Sequence, residues 1–245
     1  MPSPRHGGSP RKIFMQKIGL IGGIGPESTV SYYRQLVDGV KQKLGEHTLP
    51  RISIETLSAF EVFALCKQEQ YDALAEYILD GIRSLAAAGA TCAALTGNTP
   101  NIVFDRLKAS SPIPLVSAIE ATVAVAKARG VRKVGLLGTV FTMTNTFFVE
   151  PFVREGITVV VPDAREIAYI HGKIETELEH GVVTDETRAG FVKIIEDMKA
   201  RANIDQIILG CTELPLLLSD ESSPVPCLDT MAIHVATLVE KIIQD

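Results

Sequence analysis

The stretch Lys17-Ile18-Gly19-Leu20-Ile21-Gly22 returns 116 residues later as Lys133-Val134-Gly135-Leu136-Leu137-Gly138. Each copy is a short apolar run that ends at glycine. Runs of this kind, followed by segments of helical periodicity, are typical of strand-turn-helix units in a parallel β-sheet. Because the stretch occurs twice in 245 residues, we predict two lobes of similar α/β topology.

Apolar runs and helical patterns alternate along the rest of the chain. The predicted strands cover residues 17–21, 51–56, 91–95, 115–116, 133–137, 158–161 and 206–209. Amphipathic helices are predicted over 71–88, 119–128 and 189–200, because their apolar residues recur every three or four positions. We therefore predict an α/β fold of two pseudo-symmetric lobes, each a parallel β-sheet flanked by helices, with the active site in the interlobe cleft.

The expected division of the chain follows the repeat. The N-terminal lobe is predicted over residues 16–116 and is completed by a C-terminal helix over 228–245, while the C-terminal lobe covers 117–227. Residues 1–15 carry positive charge, Gly, Pro and Ser without an apolar segment, so we predict a disordered or tag-like tail and not a secretory signal.

The composition of the chain disfavours two classes of binding partner, nucleic acids and membranes. The formal net charge is −5 and the chain has no basic block, which disfavours nucleic acid. No run of 18 apolar residues is present, so no membrane partner is expected. The four cysteines lack the spacing of a metal site or a disulfide scaffold, and we expect free thiols, no metal and a cytoplasmic location.

The turn Gly22-Gly23-Ile24-Gly25-Pro26-Glu27-Ser28-Thr29 follows the first strand and opens a helix. It departs from the dinucleotide-binding pattern GxGxxG at Pro26 and Glu27, and an acidic side chain at that place opposes phosphate. A tight turn with proline at a helix start is the structural alternative. We expect the turn to contact a small carboxylate instead of a nucleotide, and no cofactor is predicted.

Two loops that follow apolar strands carry the candidate chemistry. One contains Thr96-Gly97-Asn98-Thr99 and the other Gly210-Cys211-Thr212-Glu213. Short amide and hydroxyl side chains beside free backbone N–H groups can hold the α-carboxylate of a small acid. Cys211 follows the end of a strand, so its thiol is the catalytic candidate, provided that neighbouring dipoles or cations lower its pKa.

The sequence around the other three cysteines and around His234 indicates structural roles. Cys66, Cys92 and Cys227 are predicted to be structural. We expect His234 to pack near the strand ends from the C-terminal helix, with a catalytic role as the alternative. Asp229 is a good N-cap for that helix.

Together with Leu136-Leu137-Gly138-Thr139-Val140-Phe141-Thr142-Met143 and Val225-Pro226-Cys227-Leu228-Asp229-Thr230, these motifs resemble the aspartate/glutamate racemase family from about residue 17 to the C-terminus. That family racemizes acidic amino acids without a cofactor, using two cysteines on opposite faces of the α-carbon, one to remove the α-proton and one to return a proton. The resemblance implies that Cys211 is one of these two. It also implies substrate contacts from Ile24, Lys67, Gly97, Asn98, Thr99, Thr139, Thr142 and Thr212.

The first loop departs from the family pattern. Family members read Cys-Asn-Thr followed shortly by His, whereas this chain reads Gly97-Asn98-Thr99-Pro100-Asn101 and so lacks both the thiol and the imidazole. Some members carry Thr in place of that cysteine, and Thr96 is one residue away. We expect Cys211 and Thr96 to be the catalytic residues, although a hydroxyl is a much poorer acid or base than a thiol.

Three functions fit these residues. The first is a racemase of aspartate or glutamate with one strong base, Cys211, and a weak partner from Thr96, Asn98 or water. The second is a one-cysteine, cofactor-free decarboxylase resembling the arylmalonate decarboxylases, in which Cys211 protonates the carbanion. The third is a non-catalytic binder of small dicarboxylates or amino acids. Lys67 or Arg51 could pair with a distal carboxylate, or either could be a solvated surface cation. The family precedent makes a homodimer reasonable.

Overall fold

The computed structural model describes residues 15–244 and contains two parallel four-stranded sheets. The first has the order β2-β1-β3-β4. Its strands are β1 (Lys17–Gly22), β2 (Arg51–Thr56), β3 (Cys92–Leu95) and β4 (Leu115–Val116). The second has the equivalent order β6-β5-β7-β8. Its strands are β5 (Lys133–Leu137), β6 (Thr158–Val160), β7 (Gln206–Leu209) and β8 (Cys227–Asp229). The predicted fold class is confirmed.

Helices connect the strands and cover the sheets. They are α1 (Pro26–Leu44), α2 (Ala59–Lys67), α3 (Tyr71–Ala87), α4 (Phe104–Ser110), α5 (Ala118–Ala128), α6 (Val140–Thr144), α7 (Thr146–Arg154), α8 (Ala164–Thr176), α9 (Asp185–Ala202) and α10 (Thr230–Ile243). No helix within residues 15–244 combines the length and the apolar character needed to cross a bilayer.

The apolar strands are buried because helices lie on both faces of the first sheet. On one face, α3 packs Leu74, Ile78 and Ile82 into a core with Ile21, and all four side chains are fully buried. On the other face, α1 and α10 form a second core with Ile18, Leu20 and the helix residues against them. Burial of one such aliphatic side chain contributes about 1.5–3 kcal/mol, which favours packing of this face of α3 against the sheet.

The C-terminal segment crosses between the lobes. Strand β8 pairs in parallel with β7 of the second sheet, whereas α10 packs against α1 of the first lobe. In α10, the buried His234 receives a hydrogen bond at Nδ1 from the Tyr32 hydroxyl (2.9 Å) and donates from Nε2 to the Val116 carbonyl (3.0 Å). Because a carbonyl only accepts, Nε2 carries a proton, and the low pKa of the ring leaves Nδ1 without one at pH 7. Burial lowers the pKa of His234 to about 4.

Several predicted boundaries shift in the structure. Strand β8 was not predicted, because a three-residue strand next to Pro226 leaves too short a pattern. Helix α9 starts earlier than residue 189 because Thr184 caps it by accepting from the Thr187 N–H. Thr91 lies just before β3, and Val161 lies just after β6. The tail prediction concerns residues outside the described range, apart from Met15, which packs against the first lobe.

The strand orders place the candidate loops together. In each sheet the chain moves one way from the first strand and returns to its other side, so a switch point lies between β1 and β3 and another between β5 and β7. Ligands of open parallel sheets bind at such points, outside the carboxyl ends of the strands. The loops after these four strands are those that the motifs identify.

Candidate active site

A cavity of about 290 Å³ lies where the loops of the two lobes meet. The first lobe contributes residues after β1 and β3 together with the start of α2, and the second contributes residues after β5, α8 and β7. The residues that line it are Ile24, Gly25, Pro26, Glu27, Ala59, Phe63, Gly97, Asn98, Thr99, Thr139, Thr142, Glu179, Gly210, Cys211, Thr212 and Glu213. Eight of the ten residues predicted for the site are in this set.

Cys211 is the one cysteine among the described residues that line the cavity. It follows β7 and is partly buried. Its Sγ donates to Oε2 of Glu213 over 2.9 Å, and the Thr212 hydroxyl also lies 2.9 Å from each oxygen of that carboxylate. Removal of the thiol from water, followed by repulsion from Glu213 and Glu179, raises the pKa of Cys211 well above its usual value. The thiol is therefore protonated, and it donates to a carboxylate on the same loop.

Gly97 lies at the end of β3 in a position that leaves no room for a side chain. A β-carbon built at Gly97 would be 2.3 Å from the carbonyl oxygen of Ile24. Ordinary contacts of a β-carbon begin at about 3.4 Å, so a methyl group alone would overlap a backbone atom of the turn after β1. The turn thus occupies the space that a side chain at residue 97 would need.

Asn98 ties the two lobes together at the cavity. Its Nδ2 donates to the Gly210 carbonyl over 2.9 Å and lies 3.5 Å from the Thr230 hydroxyl. The side chain of Asn101 in turn donates to the carbonyls of Gly97 and Asn98, at 3.0 and 3.1 Å, and so holds the loop. The loop after β3 is therefore held by side-chain amide hydrogen bonds.

The backbone N–H groups of the two loops are available for a ligand. Within residues 15–244, the N–H groups of Gly97, Asn98, Cys211 and Thr212 donate to no protein acceptor. Unpaired N–H groups at a cavity are uncommon in folded proteins and favour an anionic ligand.

Two predicted site residues are not brought to the cavity. Thr96 is fully buried behind the loop, where its hydroxyl donates to the Ile21 carbonyl (3.1 Å) and pairs with the Thr29 hydroxyl (3.1 Å). Lys67 is exposed at the end of α2 and is not among the lining residues. The alternative cation, Arg51, is exposed at the beginning of β2, the sheet end opposite the cavity.

Four of the lining residues that were not predicted for the site have charged or aromatic side chains. Glu213 and Glu27 belong to the motifs quoted above, but nothing in those motifs predicts a role for their side chains. The fold places Glu213 against Cys211 and both glutamates at the cavity. Glu179 and Phe63 belong to segments far away in sequence, a turn after α8 and helix α2, and no local pattern marks either as a site residue.

The other cysteines lie away from this cavity. Cys66 and Cys92 are buried, and burial raises the pKa of both thiols, that of Cys66 to about 11. Cys227 is partly buried in β8. All four cysteines are free. No group of three or more His, Cys, Asp or Glu side chains among the described residues is placed to hold a metal ion.

Comparisons with known proteins agree with the predicted resemblance. The family model for Asp/Glu/hydantoin racemase matches residues 21–238. An aspartate racemase homologue from Pyrococcus horikoshii OT3 is 34% identical and superimposes with a TM-score of 0.85 over 94% of this chain and 100% of that chain. The broad specificity amino-acid racemase RacX of Bacillus subtilis is 23% identical over 218 residues, which cover 88% of this chain and 93% of that protein. The aspartate racemase of Picrophilus torridus shares the fold, with 21% identity and a TM-score of 0.72 over 94% of this chain and 96% of that one. The resemblance is confirmed, and the chain belongs to the Asp/Glu/hydantoin racemase family.

Proposed function

We propose that the chain is a cofactor-independent amino-acid racemase in which Cys211 removes the α-proton from one face of the substrate and a proton returned to the opposite face completes inversion. The observation that carries this proposal is the contact between the Cys211 thiol and the Glu213 carboxylate, at 2.9 Å, on the wall of the cavity. A thiol beside an acceptor carboxylate is a pair that can move one proton in either direction.

Substrate binding uses the free N–H groups of the two loops. They hold the α-carboxylate by charge-assisted hydrogen bonds, with the Thr212 hydroxyl beside them. The same loops come from both lobes, so the α-carbon sits between the Cys211 side and the Gly97 side. This placement is supported by the position of the unpaired donors.

Proton removal starts from the protonated thiol. The positive α-ammonium group offsets the negative charge of Glu213 and Glu179, which lowers the pKa of Cys211 when substrate is bound. Glu213 accepts the thiol proton, and the thiolate then takes the α-proton to leave a carbanion. Return of a proton from Cys211 restores the original enantiomer.

Inversion needs a proton from the other face, where Gly97 has no side chain and the carbonyl oxygen of Ile24 takes the space of its β-carbon. A carbonyl cannot donate a proton, and Thr96 is buried. We therefore propose that solvent water supplies that proton, which makes inversion slower than exchange on the Cys211 face. The family resemblance points to aspartate or glutamate as substrates, although the charge of the cleft favours another side chain, as argued below.

The test is proton NMR of amino acids incubated with the protein in deuterated buffer. With wild-type protein, the α-proton signal should disappear as deuterium replaces the proton. With Cys211→Ser, the signal should persist. Cys227→Ser is the matched control, because this second partly buried thiol lies outside the cavity and its loss should leave exchange intact. Absence of exchange in every amino acid tried would contradict the proposal.

A second candidate is a one-cysteine decarboxylase. The observation that favours it is that Cys211 is the only thiol among the described cavity residues and holds its proton, as a donor to a carbanion must. Release of carbon dioxide from a substituted malonate, abolished by Cys211→Ser, would support it. Ligand-induced thermal stabilisation without either reaction would instead support a non-catalytic binder.

Two further expectations concern the cellular compartment and the oligomeric state of the protein. Four free thiols favour a reducing, cytoplasmic compartment. A homodimer is expected from the family resemblance and is testable by light scattering of the purified protein.

A further inference from the structure

The cleft carries an unbalanced negative charge. Three carboxylates line the cavity, those of Glu27, Glu179 and Glu213, whereas no lysine, arginine or histidine is among its described lining residues. None of the three forms an ion pair with a Lys, Arg or His side chain in the described part of the chain. By contrast, the nearby Glu177 is paired with Lys173.

The carboxylates come from three separate elements, so the charge belongs to the cleft and not to one loop. Glu27 is in the first turn of α1, Glu179 is in the turn after α8, and Glu213 follows Cys211. Partial burial, followed by repulsion from Glu213 and Glu175, raises the pKa of Glu179, with His180 and His171 opposing the shift. A cation in the cleft would relieve this repulsion.

Within the first cavity, an acidic substrate meets no described cationic side chain that could pair with its second carboxylate. The two cations that could have paired with it, Lys67 and Arg51, lie outside the cavity. The α-ammonium group accounts for one positive charge against three negative ones. Aspartate or glutamate would therefore place a distal carboxylate among like charges without a compensating group, which costs binding energy.

A longer side chain has room to reach the remaining carboxylates. A second cavity, of about 390 Å³, shares Glu27, Glu179, Thr212 and Glu213 with the first. Its further lining residues include Ser28, Ser31, the apolar Leu178 and Leu216, and His180, the one His, Lys or Arg among the described residues that line it. An aliphatic stem can pack on the apolar groups while a terminal cation meets the carboxylates.

We infer that the substrate of this cleft is an amino acid with a positively charged side chain, such as lysine, ornithine or arginine. This inference rests on the proposed function, because it assigns the side-chain specificity of the same site. Glu213 serves the Cys211 thiol, and Glu179 and Glu27 recognise the distal cation.

The experiment compares lysine with norleucine, which has the same carbon chain without the ammonium group, and with glutamate. The α-proton exchange rates in deuterated buffer should fall in the order lysine, norleucine, glutamate. Glu179→Gln should reduce the lysine-to-norleucine ratio about 1.4- to fivefold, the range expected for an exposed ion pair. Glu196→Gln, which removes the same charge from the exposed face of α9, should leave the ratio as in wild type. Added salt should weaken the lysine preference.

Binding separates this inference from the proposed function. Cys211→Ser protein should be stabilised against heat more by lysine than by norleucine at equal concentration. If no amino acid exchanges but this preference persists, the proposed racemase fails and the charge inference stands. If glutamate exchanges or binds better than lysine, or if lysine has no advantage over norleucine in either assay, the charge inference is overturned while exchange itself still supports the racemase.

Discussion

Restoring a cysteine at residue 97 should damage the protein instead of repairing a two-thiol site. In Gly97→Cys, the new β-carbon would start 2.3 Å from the Ile24 carbonyl oxygen, about 1 Å inside an ordinary contact. The obstacle is a backbone atom, so relief requires a shift of the turn after β1 or of the loop after β3. Overpacking of this kind costs about 1–3 kcal/mol. For a chain of 245 residues, that lowers Tm by about 2–12 °C.

The assay is thermal unfolding followed by circular dichroism, with Gly97→Ala as the companion variant. Alanine adds the same β-carbon without the thiol, so both variants should lose stability by a similar amount. Gly172→Ala is the matched control, because a β-carbon at that position in α8 meets nothing within 4 Å. The control should gain about 0.5–1 kcal/mol from helix propensity. A Tm of Gly97→Ala equal to that of wild type would refute the steric argument, and faster inversion by Gly97→Cys would show that the turn yields readily.

Three further predictions test the site and its support. Glu213→Gln should lower the pKa of Cys211, because a neighbouring negative charge is removed. Alkylation of Cys211 by iodoacetamide at neutral pH should then become faster, while α-proton exchange becomes slower. Slower alkylation would contradict this prediction. Burial lowers the pKa of His234 from its ordinary 6.5 to about 4 in the folded state. The fold therefore has the full contribution of this residue above pH 6.5, where the ring is neutral in both the folded and the unfolded chain. Up to about 3 kcal/mol of that stability is lost as pH falls to 4, and urea titrations of His234→Gln should show a weaker pH dependence than wild type. Asn98→Ala loses the hydrogen bond to the Gly210 carbonyl and should cost about 1 kcal/mol and raise KM; an unchanged KM would mean that the bridge does not position the loops.

The fold was largely predictable from the sequence because its signals are local and repeated. The runs at residues 17 and 133 are apolar, end at glycine and precede helical patterns, and both become central strands of equivalent sheets. The equivalence of Gly97 and Cys211 follows from the same repeat, since each lies after the third strand of its sheet. Short elements such as β8 lie below the length at which a pattern is visible.

The site was predictable only in part, because side-chain direction and long-range packing decide it. Thr96 is adjacent to Gly97, yet its hydroxyl points into the core, where it contacts the Ile21 carbonyl and the Thr29 hydroxyl, and no local pattern of the sequence shows that direction. Glu179 enters the cleft from a turn more than thirty residues before Cys211. The negative charge of the cleft therefore arises only when the two lobes come together. It is the reason why we expect a cationic substrate side chain, which no single motif of the sequence indicates.

The most direct test of the one-thiol mechanism is the stereochemistry of deuterium uptake by L- and D-lysine in deuterated buffer, followed by NMR and chiral chromatography. We predict that one enantiomer takes up deuterium faster than it inverts, that the other exchanges more slowly, and that Cys211→Ser abolishes uptake in both. Deuterium uptake that always accompanies inversion, at comparable rates from both enantiomers, would contradict the mechanism, because it would require a second efficient acid or base on the Gly97 face.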